Sequence, residues 1–332
     1  MGMTNDGLSY WQAETSDEPL LETTIGDRLD QQATETPTRE ALVYTGYPEF
    51  GDALNIRWSY AEYRARVNAV AKGLMALGLK KGDHIAVWAA NLPEWPLLEL
   101  AAAKIGLVLV TINPVLRAAE VEYILKQGDV RALFLMAQIR DQNCLATIRS
   151  MTTPGSKPGE VSDEAGGRLP LLHSVCLLGL PPADLEQDGW RPMLFREMVG
   201  AGAAAISDEA LAERQAAVTP NDPAMILYTS GTTGFPKGAV LTHRNLLNQA
   251  YFVMRQGKFD EDIRGCVLVP FFHVFGCVGY VLVALSSGGA IYPLLGFDPL
   301  KAMQIISSER CTVTGGVPTM LMAILQHPDF DK

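Results

Sequence analysis

No two cysteines in this chain stand at CxxC spacing, and no two histidines stand at the spacing of a metal-ligand pair. The five cysteines, Cys144, Cys176, Cys266, Cys277 and Cys311, are dispersed. Such a set excludes a zinc ribbon or a disulfide framework and reads as buried thiols in a reducing compartment, the cytoplasm. Basic residues are also short: 27 Lys and Arg against 37 Asp and Glu leave a net charge of −10. That balance argues against nucleic acid or an anionic membrane as partner, because both call for clustered cations. The start, MGMTNDGLSYWQAE, has neither a basic region nor an apolar run, so no secretory signal is read. Asp6 stands where a myristoylation motif needs Ser or Thr. Between Arg264 and Asp298 charge is absent altogether, but Pro270, Gly276, Gly279, Gly288, Gly289 and Pro293 punctuate the run. A spanning helix needs about 20 predominantly apolar residues without such breakers, so the stretch reads as buried strand, helix and strand.

What remains is ample for a core. The chain has 332 residues, 48% of them hydrophobic, enough for about two folded lobes. Residues 1–22 read as a loose leader. Ser59-Tyr60-Ala61-Glu62 is a capping box opening a helix, with Tyr60, Tyr63, Val67, Val70, Ala71 and Leu74 on one face. Apolar strands follow at His84–Trp88, Leu107–Ile112 and Ala132–Met136, separated by helices near 93–104 and 118–126. Strand, helix, strand in this rhythm predicts parallel crossovers and a helix-covered sheet, an α/β fold. Residues 151–169, rich in Gly, Pro and Ser, read as a surface loop. Leu171–Leu178 returns to strand, and Ser207 caps a helix to about 218. Pro220 and Pro223 then break the chain, so the expected lobes are 23–219 and 220–332.

Ala224–Tyr228 is an apolar strand running into Thr229-Ser230-Gly231-Thr232-Thr233-Gly234-Phe235-Pro236-Lys237-Gly238, after which Ala239–Leu241 resumes a strand. Glycines there let backbone N–H groups approach an anion closely. Hydroxyls add donors, and Lys237 adds a point charge able to follow a departing pyrophosphate. A Walker A loop is excluded, since Pro precedes Lys237 and Gly follows it. Composition alone leaves a flexible Gly/Ser/Thr linker open.

The segment YTSGTTGFPKG resembles the signature of the adenylate-forming superfamily, in its acyl-CoA synthetase branch. Nine positions, Thr229 to Gly234 and Pro236 to Gly238, match that pattern; chance would produce this on the order of once in 10⁹ chains of this length. Other segments agree in order. Trp58–Glu62 resembles the first helix opening of the family, and Ala101–Gly106 through Asn113-Pro114 its second motif. Leu241-Thr-His-Arg-Asn245 follows the loop as in acyl-CoA ligases. Pro270-Phe-Phe-His273-Val-Phe-Gly276 resembles the substrate-pocket motif, and Gly315-Gly-Val-Pro-Thr319 the acyl-side strand and turn. The resemblance implies two intertwined lobes of mostly parallel, helix-covered sheets, the large N-terminal domain of the acyl-CoA synthetase-like fold in incomplete form.

It also implies a chemistry: ATP and a carboxylic acid give an acyl-adenylate and pyrophosphate, and the acyl group then passes to coenzyme A. Thr229, Ser230, Gly231, Thr232, Thr233, Gly234 and Lys237 would hold the phosphates, with Thr229 helping to bind Mg²⁺. His273 and Lys237 are the catalytic candidates. His273, Val274, Phe275, Gly315, Gly316, Val317 and Pro318 are the substrate-side candidates. A lone His in an apolar run is ordinarily a satisfied core residue; the motif gives His273 its functional reading. His243 and Arg244 read either way, as functional groups or as surface polar residues at a helix start. Amino-acid-activating relatives carry an Asp in the pocket motif, because a buried ammonium needs a counter-charge. Phe271–Phe275 holds no carboxylate, so a fatty or other apolar acid is expected, with Asn113-Pro114 and Glu120–Leu125 nearest to medium-chain ligases. The 332 residues contain no YGxTE-like segment, no later TGD and no adenylation lysine domain. The expectation is therefore an N-terminal portion inactive by itself, with a non-catalytic nucleotide- or acyl-binding chain as the alternative. Oligomeric state is not set by the sequence.

Overall fold

Strands that are apolar at every position need cover on both faces, and that requirement organises this fold. The computed structural model describes residues 19–162, 168–186, 189–229 and 236–330. In chain order the strands are β1 (Glu40–Tyr44), β2 (Ile56–Ser59), β3 (His84–Trp88), β4 (Val108–Thr111) and β5 (Val130–Met136). Two short pairs follow, β6 (Gln138–Ile139) with β7 (Gln142–Asn143) and β8 (Thr153–Pro154) with β9 (Val161–Ser162). Then come β10 (Ser174–Leu178), β11 (Met193–Leu194), β12 (Pro223–Thr229) and β13 (Lys237–Thr242). The last are β14 (Arg264–Val267), β15 (Ala290–Pro293) and β16 (Val313–Gly315).

Two main sheets result. One has seven strands in the order β11-β10-β5-β3-β4-β12-β13, the other five in the order β16-β14-β15-β1-β2. Pairing is parallel except at one edge of each, where β13 runs against β12 and β2 against β1. Alternation along the strands then sorts the side chains. Ile85 and Val87 of β3, Leu42 of β1 and Val267 of β14 face a shared central core with helices Tyr60–Ala76 and Glu94–Lys104. Ala86 and Trp88 face an outer core with helices Ala118–Gln127 and Cys144–Arg149. Val43, Cys266 and Tyr292 face a second outer core under helix Pro299–Ser308. The chain is thus an α/β fold whose sheets are covered on both sides.

The division expected at 219/220 does not follow the sheets. β1 and β2 from the first stretch complete the sheet of β14–β16, while β12 joins β4 through Met225↔Leu109 and Ile226↔Val110. Edge strands take the partner whose N–H and C=O row is free, and sequence proximity does not decide which sheet offers it. The expected loop 151–169 carries the β8–β9 pair within its described part. The expected leader ends before residue 22 in effect, because Leu21 exchanges two hydrogen bonds with the Asn248 side chain, at 2.8 and 3.0 Å. The charge-free stretch contains β14, the helical turns 274–287 and β15, as the breakers indicated. No described helix is long and apolar enough to cross a membrane.

The capping box is present: Ser59 N–H donates to Glu62 Oε2 at 2.9 Å and Glu62 N–H to Ser59 Oγ at 3.3 Å. This helix packs in the central core, so Ser59→Ala is expected to lower stability by about 1 kcal/mol, read from the thermal midpoint. An unchanged midpoint would mean that packing alone sets the helix start.

Candidate functional site

The glycine- and hydroxyl-rich segment connects two antiparallel strands. β12 and β13 pair from Pro223↔Thr242 to Thr229↔Lys237, so Thr229 and Lys237 close the hairpin opposite one another. Thr229 Oγ1 lies 3.5 Å from the Lys237 carbonyl oxygen, and both residues are exposed. Ser230, Gly231, Thr232, Thr233 and Gly234 lie outside the described residues. The base of the turn is tied to helix Ala118–Gln127: the Tyr123 hydroxyl donates to Pro236 O at 3.3 Å, and the Tyr228 hydroxyl bonds to Gln127 Oε1. Burial pushes the Tyr228 hydroxyl up to about 12, so it remains a donor at neutral pH. Among the described residues no acid pairs with Lys237.

Thr242 caps helix His243–Gly257, accepting from Asn245 N–H at 3.1 Å. His243 is neither a functional group in the open nor a surface cap. It is fully buried, and its Nδ1 accepts the Ile25 N–H at 3.2 Å. Arg244 pairs with Glu22 at 2.8 Å. Both side chains, with Asn248, strap residues 21–25 onto the helix.

The pocket motif follows β14. His273 is exposed and begins the short helix Val274–Gly276, its Nδ1 accepting from Phe275 N–H at 3.2 Å. An accepting Nδ1 places the neutral imidazole proton on Nε2, which is then free to donate. Gly276 is required here: a Cβ would lie 2.3 Å from Pro270 O. Beyond the turn, Phe275 stacks on Tyr280 with ring centroids 5.8 Å apart, and the Tyr280 hydroxyl donates to Gly315 O at 3.1 Å. Together they wall a cavity of about 450 Å³. Val253 and Phe259 reach it from helix His243–Gly257 and its end, Val274 and Val278 from the helical turns, and Ile291 from β15. No charged side chain lines it; Gln249 and Thr314 are its polar side chains besides the Tyr280 hydroxyl.

Of the sequence-derived candidates, Val274, Phe275 and Gly315 meet in this cavity, and His273 immediately precedes Val274. Gly316, Val317 and Pro318 do not line it. After β16 the chain turns at Val317 into helix Pro318–Leu325, whose Ile324 packs into the outer core beyond the five-stranded sheet. Tyr280, Gly265 and Gly279 also line the cavity and were not among those candidates; nothing in their spacing marks them, because the cavity assembles from separate segments between Gln249 and Gly315. Among the described residues no group of three or more His, Cys, Asp or Glu could hold a metal ion. Thr229 offers a single exposed hydroxyl.

The family model described as AMP-binding enzyme matches residues 29–332. The chain belongs to the AMP-binding enzyme family. Within that family it is 39% identical over 314 residues to YngI of Bacillus subtilis (strain 168), a protein carrying the name of an acyl-CoA synthetase; the match covers 94% of this chain and 54% of YngI. It is 34% identical over 320 residues to the mitochondrial medium-chain acyl-CoA ligase ACSF2 of Danio rerio, covering 96% of this chain and 50% of the relative. The N-terminal domain of FACL13 from Mycobacterium tuberculosis, solved with an inhibitor, superposes with a TM-score of 0.69 at 27% identity, covering 93% of this chain and 66% of that domain. The chain spans about half the length of the curated relatives it matches.

Proposed function

We propose that this AMP-binding chain contributes the phosphate turn and acyl pocket of an ATP-dependent acid–CoA ligase acting on a fatty or other apolar carboxylic acid. The observation that carries the reading is the uncharged 450 Å³ cavity, which begins one residue after His273. A carboxylate buried in it would lose water, so its charged end belongs at the mouth and its apolar chain inside. His273 Nε2–H is the donor suited to meet that carboxylate. In the first step a carboxylate oxygen attacks the α-phosphorus of ATP and pyrophosphate leaves. In the second, the coenzyme A sulfur attacks the acyl carbon and AMP leaves. Ser230, Gly231, Thr232, Thr233 and Gly234 would bind the β- and γ-phosphates through backbone and hydroxyl donors, with Lys237 following the pyrophosphate charge. Mg²⁺, bound by those phosphates with the Thr229 hydroxyl as one protein oxygen, would neutralise their charge. Four buried cysteines and a fifth half-buried one, all free, support a reducing compartment, the cytoplasm in this reading.

Decanoate binding followed by the intrinsic fluorescence of the protein tests the pocket. Gly315→Val is expected to weaken it about ten-fold or more, because a Cβ at 315 already meets Phe275 Cζ and the Tyr280 hydroxyl oxygen at 3.3 Å. Equal affinity in the variant would remove the cavity from the acyl site. ATP–pyrophosphate exchange with decanoate then separates a ligase from the second reading, a non-catalytic nucleotide- or acyl-binding chain.

A further inference from the structure

One buried amide side chain joins the two sheets at the end where the site lies. Asn91 follows β3 of the seven-stranded sheet and is 4% exposed. Its Nδ2 donates to Val269 O and Leu294 O, both at 3.0 Å, and its Oδ1 accepts from Phe271 N–H at 2.8 Å. Its own carbonyl accepts from the Tyr44 hydroxyl at 2.7 Å. Val269 follows β14, Leu294 follows β15 and Tyr44 ends β1, so these bonds gather the carboxyl ends of three strands of the five-stranded sheet. Both donors of the amide are used, and the pattern of two donors and one acceptor is one that only a carboxamide of this length satisfies.

The Phe271 bond has a consequence two residues on. His273 N–H bonds back to Pro270 O at 3.3 Å, and Gly276 N–H to His273 O at 2.8 Å, so the turn 270–276 is a tight unit. Asn91 grips the root of this unit on both sides, at Val269 O and Phe271 N–H, where the buried Phe271 ring packs on Trp95. We propose that Asn91 is a positioning residue that sets the His273 imidazole at the mouth of the acyl cavity by registering the Val269–Phe271 backbone against the seven-stranded sheet. The proposal rests on the acyl-site reading of His273 for its functional consequence, but the placement itself does not.

Asn91→Asp keeps the volume and replaces both donors with an oxygen facing two carbonyl oxygens. Tyr44→Phe is a milder second variant that loosens Asn91 through its backbone and keeps its side chain. Ile148→Ala, in the outer core far from the turn, controls for lost stability. Two measurements are made on each: the imidazole ¹⁵N NMR signature of His273, and the rate of its carbethoxylation by diethyl pyrocarbonate with and without decanoate, read by peptide mass spectrometry. In the wild type and in Ile148→Ala, His273 is expected to show one Nε2–H tautomer and at least five-fold protection by decanoate. Asn91→Asp is expected to show mixed tautomers and to lose the protection, and Tyr44→Phe to move the same way to a smaller degree. If Asn91→Asp or Tyr44→Phe matches Ile148→Ala in the NMR signature, the positioning role is overturned. If decanoate fails to protect the wild type, the acyl-site reading falls, and the NMR comparison still decides Asn91.

Discussion

Glu99→Met is expected to raise stability at pH 7 by about 1–3 kcal/mol, the usual cost of a buried polar group left without a partner. Glu99 lies in the middle of helix Glu94–Lys104 and is 2% exposed. Neither of its carboxyl oxygens has a hydrogen-bond partner among the described residues. Burial raises its carboxyl well above the usual carboxylate range. The sign follows from proton binding. Above the unfolded value of 4.5 the folded state holds a proton that the unfolded state releases, so stability falls as pH rises. Methionine removes the penalty while filling a similar volume in the central core. The gain over wild type should therefore be larger at pH 8 than at pH 5, measured by thermal midpoints in matched buffers. A loss of stability at both values would mean that Glu99 is held by a partner and is structural.

Acid acts on the fold in the opposite direction through His243. Burial lowers its imidazole from 6.5 to about 4, with Asp222 and Asp27 acting weakly the other way and Lys81 adding to the effect. Between those values the unfolded chain binds a proton that the folded chain refuses, so stability rises with pH. Lowering pH from 6.5 to 4 should then cost on the order of 3 kcal/mol from this group alone. Carboxylates whose range is depressed by partners, such as Glu40 and Asp222, add their own loss only below about pH 4.5. His243→Asn offers an acceptor near the Nδ1 position for the Ile25 N–H and has no proton to gain. Glu99 acts alike in both proteins, so the decline due to His243 appears as a stability gain of variant over wild type that grows from pH 6.5 to 4.5, and parallel curves would show that the imidazole is not the titrating group. Detachment of residues 21–25 should accompany the decline, since His243 holds that strap.

The local elements were written plainly in the chain. Ser59 and Glu62 form the box their spacing announces, and His84–Trp88 is a strand over the residues its apolar run indicated. Ser207 caps its helix, accepting from Ala210 N–H at 3.2 Å. The hydroxyl turn could be placed between strands, although the antiparallel pairing of β12 with β13 could not be read, since a strand pattern does not encode its partner's direction. His243 shows the other limit: at the start of an amphipathic helix it read as open to either role, and only contact with residue 25, from 218 positions away, buried it.

Sequence by itself determined the family, the helix starts at Ser59 and Ser207, the strands near 84–88, 107–112 and 132–136, and an uncharged stretch between Arg264 and Asp298 able to wall an apolar pocket, because each rests on interactions within a few residues. Tertiary structure alone decided that β1 and β2 complete the sheet of β14–β16, that Gly316–Pro318 leave the cavity, and that Asn91 holds the His273 turn. Those outcomes depend on which unpaired backbone groups meet across more than a hundred residues, and hydrogen-bond partners at that distance leave no periodicity in a single chain.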